Sequence, residues 1–367
     1  MTALYRSMAS MGGCDKNYWT DECPDRDHGA MAEQRSASLP DDPTFDEVLR
    51  AAEVVARELP ATPLQSHPLL DSAVGADVLV KHEHVLPTGS FKVRGGVHLA
   101  ATLSAAEQEH GLVTCSTGNH AQSVAYGARL AGVRATIVMP SSAPAVKRDA
   151  VAALGAEVLV RGDTLGESAA AARELAAASG ASFICPTDRR IVLGHATAYL
   201  ELFRQAAVLP SGLAAVYVPI GSGTGAAGAC LVRDALAPGT RVIGVQSEAA
   251  PAGWRSWRSG TIETAPATTR ASGLATTTGY PLPQRVLRGR LDDFVLVADD
   301  QIDHAARLLA TRAHTLAEGA GAAALAGLLV PRSPDRSGRP GPVAVMCTGA
   351  NASADEIARL GAVSTAA

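Results

Sequence analysis

Between about residues 112 and 190, short apolar runs alternate with longer stretches whose apolar positions recur at helical spacing. Leu112 to Cys115 predicts a strand and Asn119 to Ala131 a helix. Ala135 to Met139 predicts a strand stopped by Pro140, and Pro144 to Leu154 a helix with proline in its first turn and Gly155 closing it. Glu157 to Val160, Leu165 to Ala178 and Ser182 to Cys185 continue as strand, helix, strand, and Pro186 ends the series. The same rhythm resumes with a helix over Gly194 to Ala207 and a strand over Ala214 to Pro219. A helix over Gly225 to Leu236 and strands over Val242 to Gln246 and Phe294 to Val297 follow. Helices over Asp300 to Ala313 and Glu318 to Leu329 precede a last buried strand, Val343 to Cys347. Strands alternating with helices of this length predict βαβ units and parallel sheets, hence an α/β fold.

Upstream, Pro43 to Leu59 carries Phe45, Val48, Leu49, Ala52, Val55 and Leu59 on one face, an amphipathic helix with Asp41 or Asp42 as its cap and Pro43 in its first turn. Ala76 to Lys81 is strand-like and Val97 to Leu103 helix-like. Residues 249–290 read as irregular and 331–342 as a loop. Residues 1–44 lack a period and read as a disordered or loosely docked extension, with Met31 an alternative start. The expected organisation is a small domain over 112–190, inserted in a large one made of 45–111 and 191–367.

Composition narrows the function. Of the 367 residues 47% are hydrophobic, ample for a packed core, and the net charge is −4 with no basic cluster. Only 4% are aromatic, so charge and stacking both point away from nucleic acid. No apolar run reaches the roughly 18–20 residues of a membrane span, and the N-terminus lacks a signal-peptide core. The six cysteines (14, 23, 115, 185, 230 and 347) form no CxxC pair and no zinc spacing. The expectation is a reducing, cytoplasmic setting, no metal and a small-molecule substrate.

Four junctions carry candidate chemistry. In Thr88-Gly89-Ser90-Phe91-Lys92-Val93-Arg94-Gly95 a lysine follows a small turn and an aromatic residue, between a strand and a helix. Backed by an apolar wall, such a lysine loses water and its proton and becomes a nucleophilic amine. Alone, it reads as a surface lysine. Gly221-Ser222-Gly223-Thr224-Gly225 joins a strand to a helix, where backbone N–H groups cradle an anion. Gly223-x-Gly225-x-x-Gly228 also matches the dinucleotide fingerprint, with Glu248 twenty positions beyond Gly228. That fingerprint usually follows the first strand, whereas this loop follows several βα units. Ser116-Thr117-Gly118-Asn119-His120 suits a carboxylate, or is a helix start capped by Ser116 or Thr117. Thr348-Gly349-Ala350-Asn351 ends the last strand, where open α/β sheets face their ligands.

Together these four motifs, in this order, resemble the fold-type II pyridoxal-phosphate enzymes, and within them the threonine/serine dehydratase and serine racemase branch. The resemblance runs from about residue 45 to 355. It implies a tryptophan synthase β-like fold of two three-layer αβα lobes with mainly parallel sheets, pyridoxal 5'-phosphate as cofactor, and a homodimer. It assigns Lys92 the Schiff base and the Cα proton, Phe91 a place beside the cofactor, and Asn119 a bond to its phenolic oxygen. The phosphate falls to Gly221, Ser222, Gly223, Thr224 and Gly225, and the pyridine nitrogen to Thr348. Ser116, Thr117, Gly118, Asn119 and His120 take the substrate carboxylate. The implied reaction is β-elimination from a β-hydroxy-α-amino acid such as L-threonine or L-serine, giving a 2-oxo acid and ammonia; 3-hydroxyaspartate and phenylserine-type substrates stay open. β-Replacement and racemisation are the alternatives on the same fold; a nicotinamide dehydrogenase or a non-catalytic binding protein lies further off.

The departures matter. The family's glycine loop is often four consecutive glycines; Ser222 and Thr224 interrupt it here. Gln246 and Ala252 stand where the racemase branch has acidic ligands for a divalent cation, so no bound metal is expected. Thr117 stands where racemases carry a second catalytic serine, and Ser272-Gly273 replaces an Asp-Gly pair at the site's mouth. Glu318 resembles the family's acidic helix start. Residues 249–290 are expected to shape the side-chain pocket, with His84 or Arg255 reaching in. Sixteen residues follow Asn351, too few for a regulatory domain, which predicts a catabolic or specialised dehydratase.

Overall fold

The computed structural model describes residues 42–331 and 341–361. Most of the expected N-terminal extension and most of the 331–342 loop lie outside the described residues. In chain order the strands are β1 (Leu64–Ser66), β2 (Val78–His82), β3 (Leu112–Cys115), β4 (Ala135–Met139), β5 (Glu157–Val160), β6 (Ser182–Phe183), β7 (Ala215–Pro219), β8 (Arg241–Ser247), β9 (Asp293–Val297) and β10 (Val343–Cys347). The helices are α1 (Phe45–Glu58), α2 (Pro68–Val74), α3 (Val93–Ala101), α4 (Ala105–His110), α5 (Asn119–Ala131), α6 (Ala145–Ala153), α7 (Leu165–Ser179), α8 (Arg189–Ala206), α9 (Thr224–Leu236), α10 (Ala252–Ser259), α11 (Pro281–Leu287), α12 (Asp299–Arg312), α13 (Gly319–Leu329) and α14 (Ala354–Gly361).

The strands form two sheets. One runs β1-β2-β10-β7-β8-β9 and the other β5-β4-β3-β6. All pairings are parallel except that of β1 with β2. Each sheet is covered on both faces. Helices α1, α8 and α9 bury one face of the six-stranded sheet, and α2, α12 and α13 the other. The four-stranded sheet lies between α5 with α6 and α7. This is the expected pair of three-layer units, and parallel strands buried on both faces explain why their sequences read as unbroken apolar runs. Helix α13, built only of Gly, Ala and Leu, is almost wholly buried, as a helix apolar on every side must be.

Several boundaries differ from the sequence pattern. Thr44, not Asp41 or Asp42, caps α1. Its hydroxyl accepts from the Glu47 N–H and the Glu47 carboxylate accepts from the Thr44 N–H, a reciprocal box that leaves Pro43 outside the helix. Asp42 pairs instead with Arg285. Helix α8 starts five residues before Gly194 because Asp188 caps it, accepting from the Arg190 N–H at 2.8 Å. The irregular stretch 249–290 contains α10 and α11, short helices among prolines and glycines that a long-window pattern does not register. Helix α3 begins at Val93 and runs through Gly95 and Gly96, poor helix formers that extended the loop reading.

Those glycines are required by packing. A Cβ on Gly96 would collide with the Ser123 carbonyl of α5, and one on Gly127 with the Gly96 carbonyl. A Cβ on Gly95 would stand 2.7 Å from His195 Nε2, and one on Gly194 2.5 Å from the Arg94 carbonyl. Helix α3 is thus in backbone contact with α5 on one side and α8 on the other. Gly96→Ala is expected to destabilise by at least about 1–3 kcal/mol, the usual range for overpacking, since the obstacle is backbone. A denaturant midpoint within error of wild type would contradict this close approach.

A buried charge cluster holds the start of α3. Arg94 and Glu83 are wholly buried, and Arg94 Nε donates to Glu83 Oε2 at 2.6 Å. Arg94 Nη1 donates to Glu201 Oε1 at 2.8 Å. Lys81, also buried, donates to Glu201 at 3.0 Å, to Gln205 at 2.9 Å and to the Thr62 carbonyl at 2.8 Å. Two cations and two carboxylates tie β2, α3 and α8 together two residues beyond Lys92.

Candidate active site

The four junctions singled out in the sequence follow β2, β3, β7 and β10, so all lie at carboxyl ends of parallel strands. They meet at one cleft. Phe91, Lys92, Asn119, Gly221 through Gly225 and Thr348 line it. Gly273 and Glu318, both singled out in the sequence, line it too; the structure adds Pro219, Leu274 and Ala320, whereas His84 and Arg255 do not line it.

The lysine loop is stitched to the end of β10. The Phe91 N–H donates to the Thr348 carbonyl at 2.9 Å, the Ala350 N–H to the Gly89 carbonyl at 2.9 Å, and Asn351 Nδ2 to the Thr88 carbonyl at 2.8 Å. Gly89 takes φ +66, a left-handed turn that glycine accepts freely. Ser123 donates to the Lys92 carbonyl at 2.5 Å. The Lys92 side chain is half-buried and lines the cleft. Loss of water holds its ammonium below the usual lysine range, against the opposing pull of Glu318. A larger fraction of free amine than an exposed lysine offers is therefore available in the cleft.

The glycine loop approaches its surroundings too closely for side chains at key points. A Cβ on Gly221 would stand 2.5 Å from the Gly273 carbonyl, and one on Gly225 2.9 Å from Tyr199 Oη. Gly223 takes φ +88. Helix α9 starts at Thr224, so its first-turn N–H groups have no partner within the helix and face the cleft. Thr224 Oγ1 lies 2.9 Å from His195 Nδ1, and the His195 ring packs against Phe91 with centroids 4.6 Å apart. His195, mid-helix in α8, gave no signal in the sequence.

Asn119 joins the two sheets across the cleft. Its Nδ2 donates to Glu318 Oε1 at 2.6 Å, and its Oδ1 accepts from Asn351 Nδ2 at 2.7 Å. One N–H of Asn119 remains for a ligand. Helix α5 is not capped by Ser116 or Thr117. Gly118 holds the cap position without a side-chain bond, and Ser116 accepts from the Gly118 N–H at 3.2 Å. The first N–H groups of α5 are thus left for an anion. Of Ser116 to His120, only Asn119 lines the cleft. The His120 ring is turned away, 3.1 Å from Thr114 Oγ1, and burial holds it neutral, down to about 3. The His120 ring is thus engaged with Thr114 and not with the cleft.

Glu318 is buried at the start of α13, and a Cβ on Gly349 would collide with its carboxyl. Burial pushes it up to about 7, with Glu356 adding to the shift and Asn119, Lys147 and Lys92 opposing. The folded chain therefore keeps a proton that the unfolded chain releases between about pH 4.5 and 7. Its contribution to stability is full below that window and is lost as pH rises through it. Glu318→Gln is expected to remove this falling limb from the denaturation midpoint of the cofactor-free protein. A midpoint that declines over the same window in the variant would refute the assignment.

The four described cysteines are buried, and burial pushes the Cys115 and Cys230 thiols up to about 12, which leaves Lys92 the better-placed nucleophile.

Comparison with known proteins agrees with this geometry. The family described as "Pyridoxal-phosphate dependent enzyme" matches residues 55–349. An L-threonine ammonia-lyase from Thermotoga maritima is 33% identical over 321 residues, 86% of this chain and 78% of that protein. A biosynthetic L-threonine dehydratase from Pasteurella multocida is 37% identical over 269 residues, 73% of this chain, which spans only 52% of that protein's length. The crystal structure of a T.th. threonine deaminase superposes with a TM-score of 0.79 at 37% identity, covering 85% of this chain and 99% of that one.

Proposed function

Since the chain belongs to the family of pyridoxal-phosphate dependent enzymes, we propose that it removes water and ammonia from a β-hydroxy-α-amino acid, with L-threonine or L-serine the default substrate. The observation that carries the proposal is a half-buried lysine, its pKa lowered by desolvation, lining the same cleft as the glycine loop at the start of α9. The residues fit the cofactor. An amine with a lowered pKa suits an aldehyde, a loop whose Gly221, Gly223 and Gly225 leave no room for a Cβ suits a phosphate, and the Thr348 hydroxyl suits a pyridine nitrogen.

When bound, pyridoxal phosphate supplies an electron sink for the pair left on Cα after its proton departs. The chain does the rest. Gly221 through Gly225 hold the phosphate at the start of α9. Asn119 offers its spare N–H to the phenolic oxygen. Thr348 presents a hydroxyl rather than a carboxylate, so it does not force a proton onto the ring nitrogen, which favours prompt loss of a β-substituent. The first N–H groups of α5, with Ser116 and Thr117, take the substrate carboxylate and set the Cα–H bond toward Lys92. The Lys92 amine takes that proton, and the β-hydroxyl, gaining one at its oxygen, leaves as water. The cleft sheds water around these groups, which strengthens each contact. The four-stranded sheet with its helices serves as the small domain, and a cytoplasmic homodimer is the setting proposed on the same resemblance.

The test is an absorbance spectrum of purified protein before and after L-threonine or L-serine, with 2-oxo acid assayed in the same cuvette. Cofactor absorbance with release of 2-oxo acid is expected. Absorbance without 2-oxo acid would redirect the assignment to β-replacement or racemisation, and no uptake of pyridoxal phosphate would sink it.

A further inference from the structure

Two buried residues behind the cleft, His195 and Thr224, stand in a relation that the proposed reaction leaves unexplained. His195 lies on α8, one residue after Gly194, where α8 touches the backbone of α3. That contact lets the imidazole pass behind the lysine-bearing segment and reach the first residue of α9. It is 1% exposed and packed against Phe91. Its Nδ1 lies 2.9 Å from Thr224 Oγ1, and its Nε2 is buried with no hydrogen-bond partner. The Lys92 carbonyl acts on the ring as a hydrogen-bond acceptor, but it already accepts from Ser123 Oγ and the Gly95 N–H.

Burial and the nearby Lys92 keep the imidazole neutral, so it has one N–H and one bare nitrogen. Two tautomers are available. With the proton on Nε2, the buried N–H has only the already engaged Lys92 carbonyl to turn to and makes no hydrogen bond of good geometry, and the Thr224 hydroxyl must donate to Nδ1. With the proton on Nδ1, the buried bare atom is only an acceptor, the more commonly tolerated omission. Thr224 Oγ1 then receives the His195 proton and keeps its own to give.

We propose that His195 is a positioning residue whose Nδ1–H holds the Thr224 oxygen, turning the Thr224 hydroxyl into a donor to the phosphate held at Gly221 to Gly225. The anion site is thereby a composite of backbone N–H groups and one hydroxyl oriented from a neighbouring helix. The inference rests on the cofactor reading above. It accounts for a side chain at Thr224, in a loop otherwise short of room, and for a histidine where a purely apolar residue would pack as well.

The experiment compares binding of pyridoxal phosphate and of pyridoxal, which lacks the phosphate, to wild type, His195→Leu, His195→Gln, Thr224→Val and His195→Leu/Thr224→Val, by absorbance titration. A lost hydrogen bond to a charged group corresponds to about tenfold or more in affinity. His195→Leu is therefore expected to weaken pyridoxal phosphate about tenfold and leave pyridoxal unchanged. His195→Gln, whose amide can still donate to Thr224, should stay within about threefold of wild type. Thr224→Val should match His195→Leu, and the double variant should lose no more than Thr224→Val. Equal weakening of both ligands in His195→Leu would mean packing alone and overturn the assignment, as would no weakening of either. If His195→Leu does not fold, Thr224→Val decides on the same ratio. A wild type that takes up neither ligand overturns the cofactor reading and this assignment with it.

Discussion

Lys92→Ala is expected to release 2-oxo acid at least about 10²–10⁴ times more slowly than wild type, the range a lost acid–base group alone accounts for. The upper figure corresponds to about 5.5 kcal/mol of barrier. The side chain lines the cleft, and no other described lysine does. The cofactor spectrum should change with it, since the amine that meets the aldehyde is gone. The fold should not suffer. The Lys92 side chain takes no part in the ion pairs of α3, and removing a poorly hydrated amine relieves a burial penalty. A melting midpoint equal to or above that of wild type, together with lost turnover, would assign the loss to chemistry. Retained turnover would remove Lys92 from the mechanism.

Arg94→Leu is expected to destabilise the protein by about 3–5 kcal/mol, the cost of breaking a buried pair from one side. Arg94 is wholly buried and meets Glu83 and Glu201 at 2.6 to 2.9 Å. Without it, Glu83 stays buried beside Lys81, 3.9 Å away, as its remaining cation. Glu201 is less demanding, with a side chain 25% exposed, so Glu201→Gln should lose less than Arg94→Leu. The Glu201 carboxyl, although raised by burial, is held below its usual range by Arg94 and Lys81. Its contribution is therefore present at neutral pH and is lost on acidification. Urea midpoints for the two variants at pH 7 and at a pH below 4.5 check both statements. A smaller loss in Arg94→Leu than in Glu201→Gln would reverse the ranking.

Much of this was legible in the chain. The limits of α5 and β10 fall where the pattern puts them, because each is bounded by small or turn-forming residues and filled by an unbroken apolar period. The chemistry was legible for a related reason: four loops at strand ends carry residue types that have little other reason to gather there. What was hidden depends on distance. Asn119 and Glu318 are 199 positions apart, and nothing local in either segment announces their bond. His120 sits in the carboxylate motif, yet its ring serves Thr114, since rotation about one side-chain bond is decided by packing that no motif encodes. His195 lies in a helix whose neighbours are apolar, and only the crossing of α8 over α3 brings it to Thr224.

The glycine contacts of α3 carry a mechanical implication. This helix touches α5, which covers the four-stranded sheet, and α8, which covers the six-stranded one, and in both places backbone meets backbone. A rod gripped from both sides is an axle. Any rocking of one sheet against the other turns about it, and points on an axle travel least. Lys92 is the residue at its end. The amine therefore sits where such rocking would move it least.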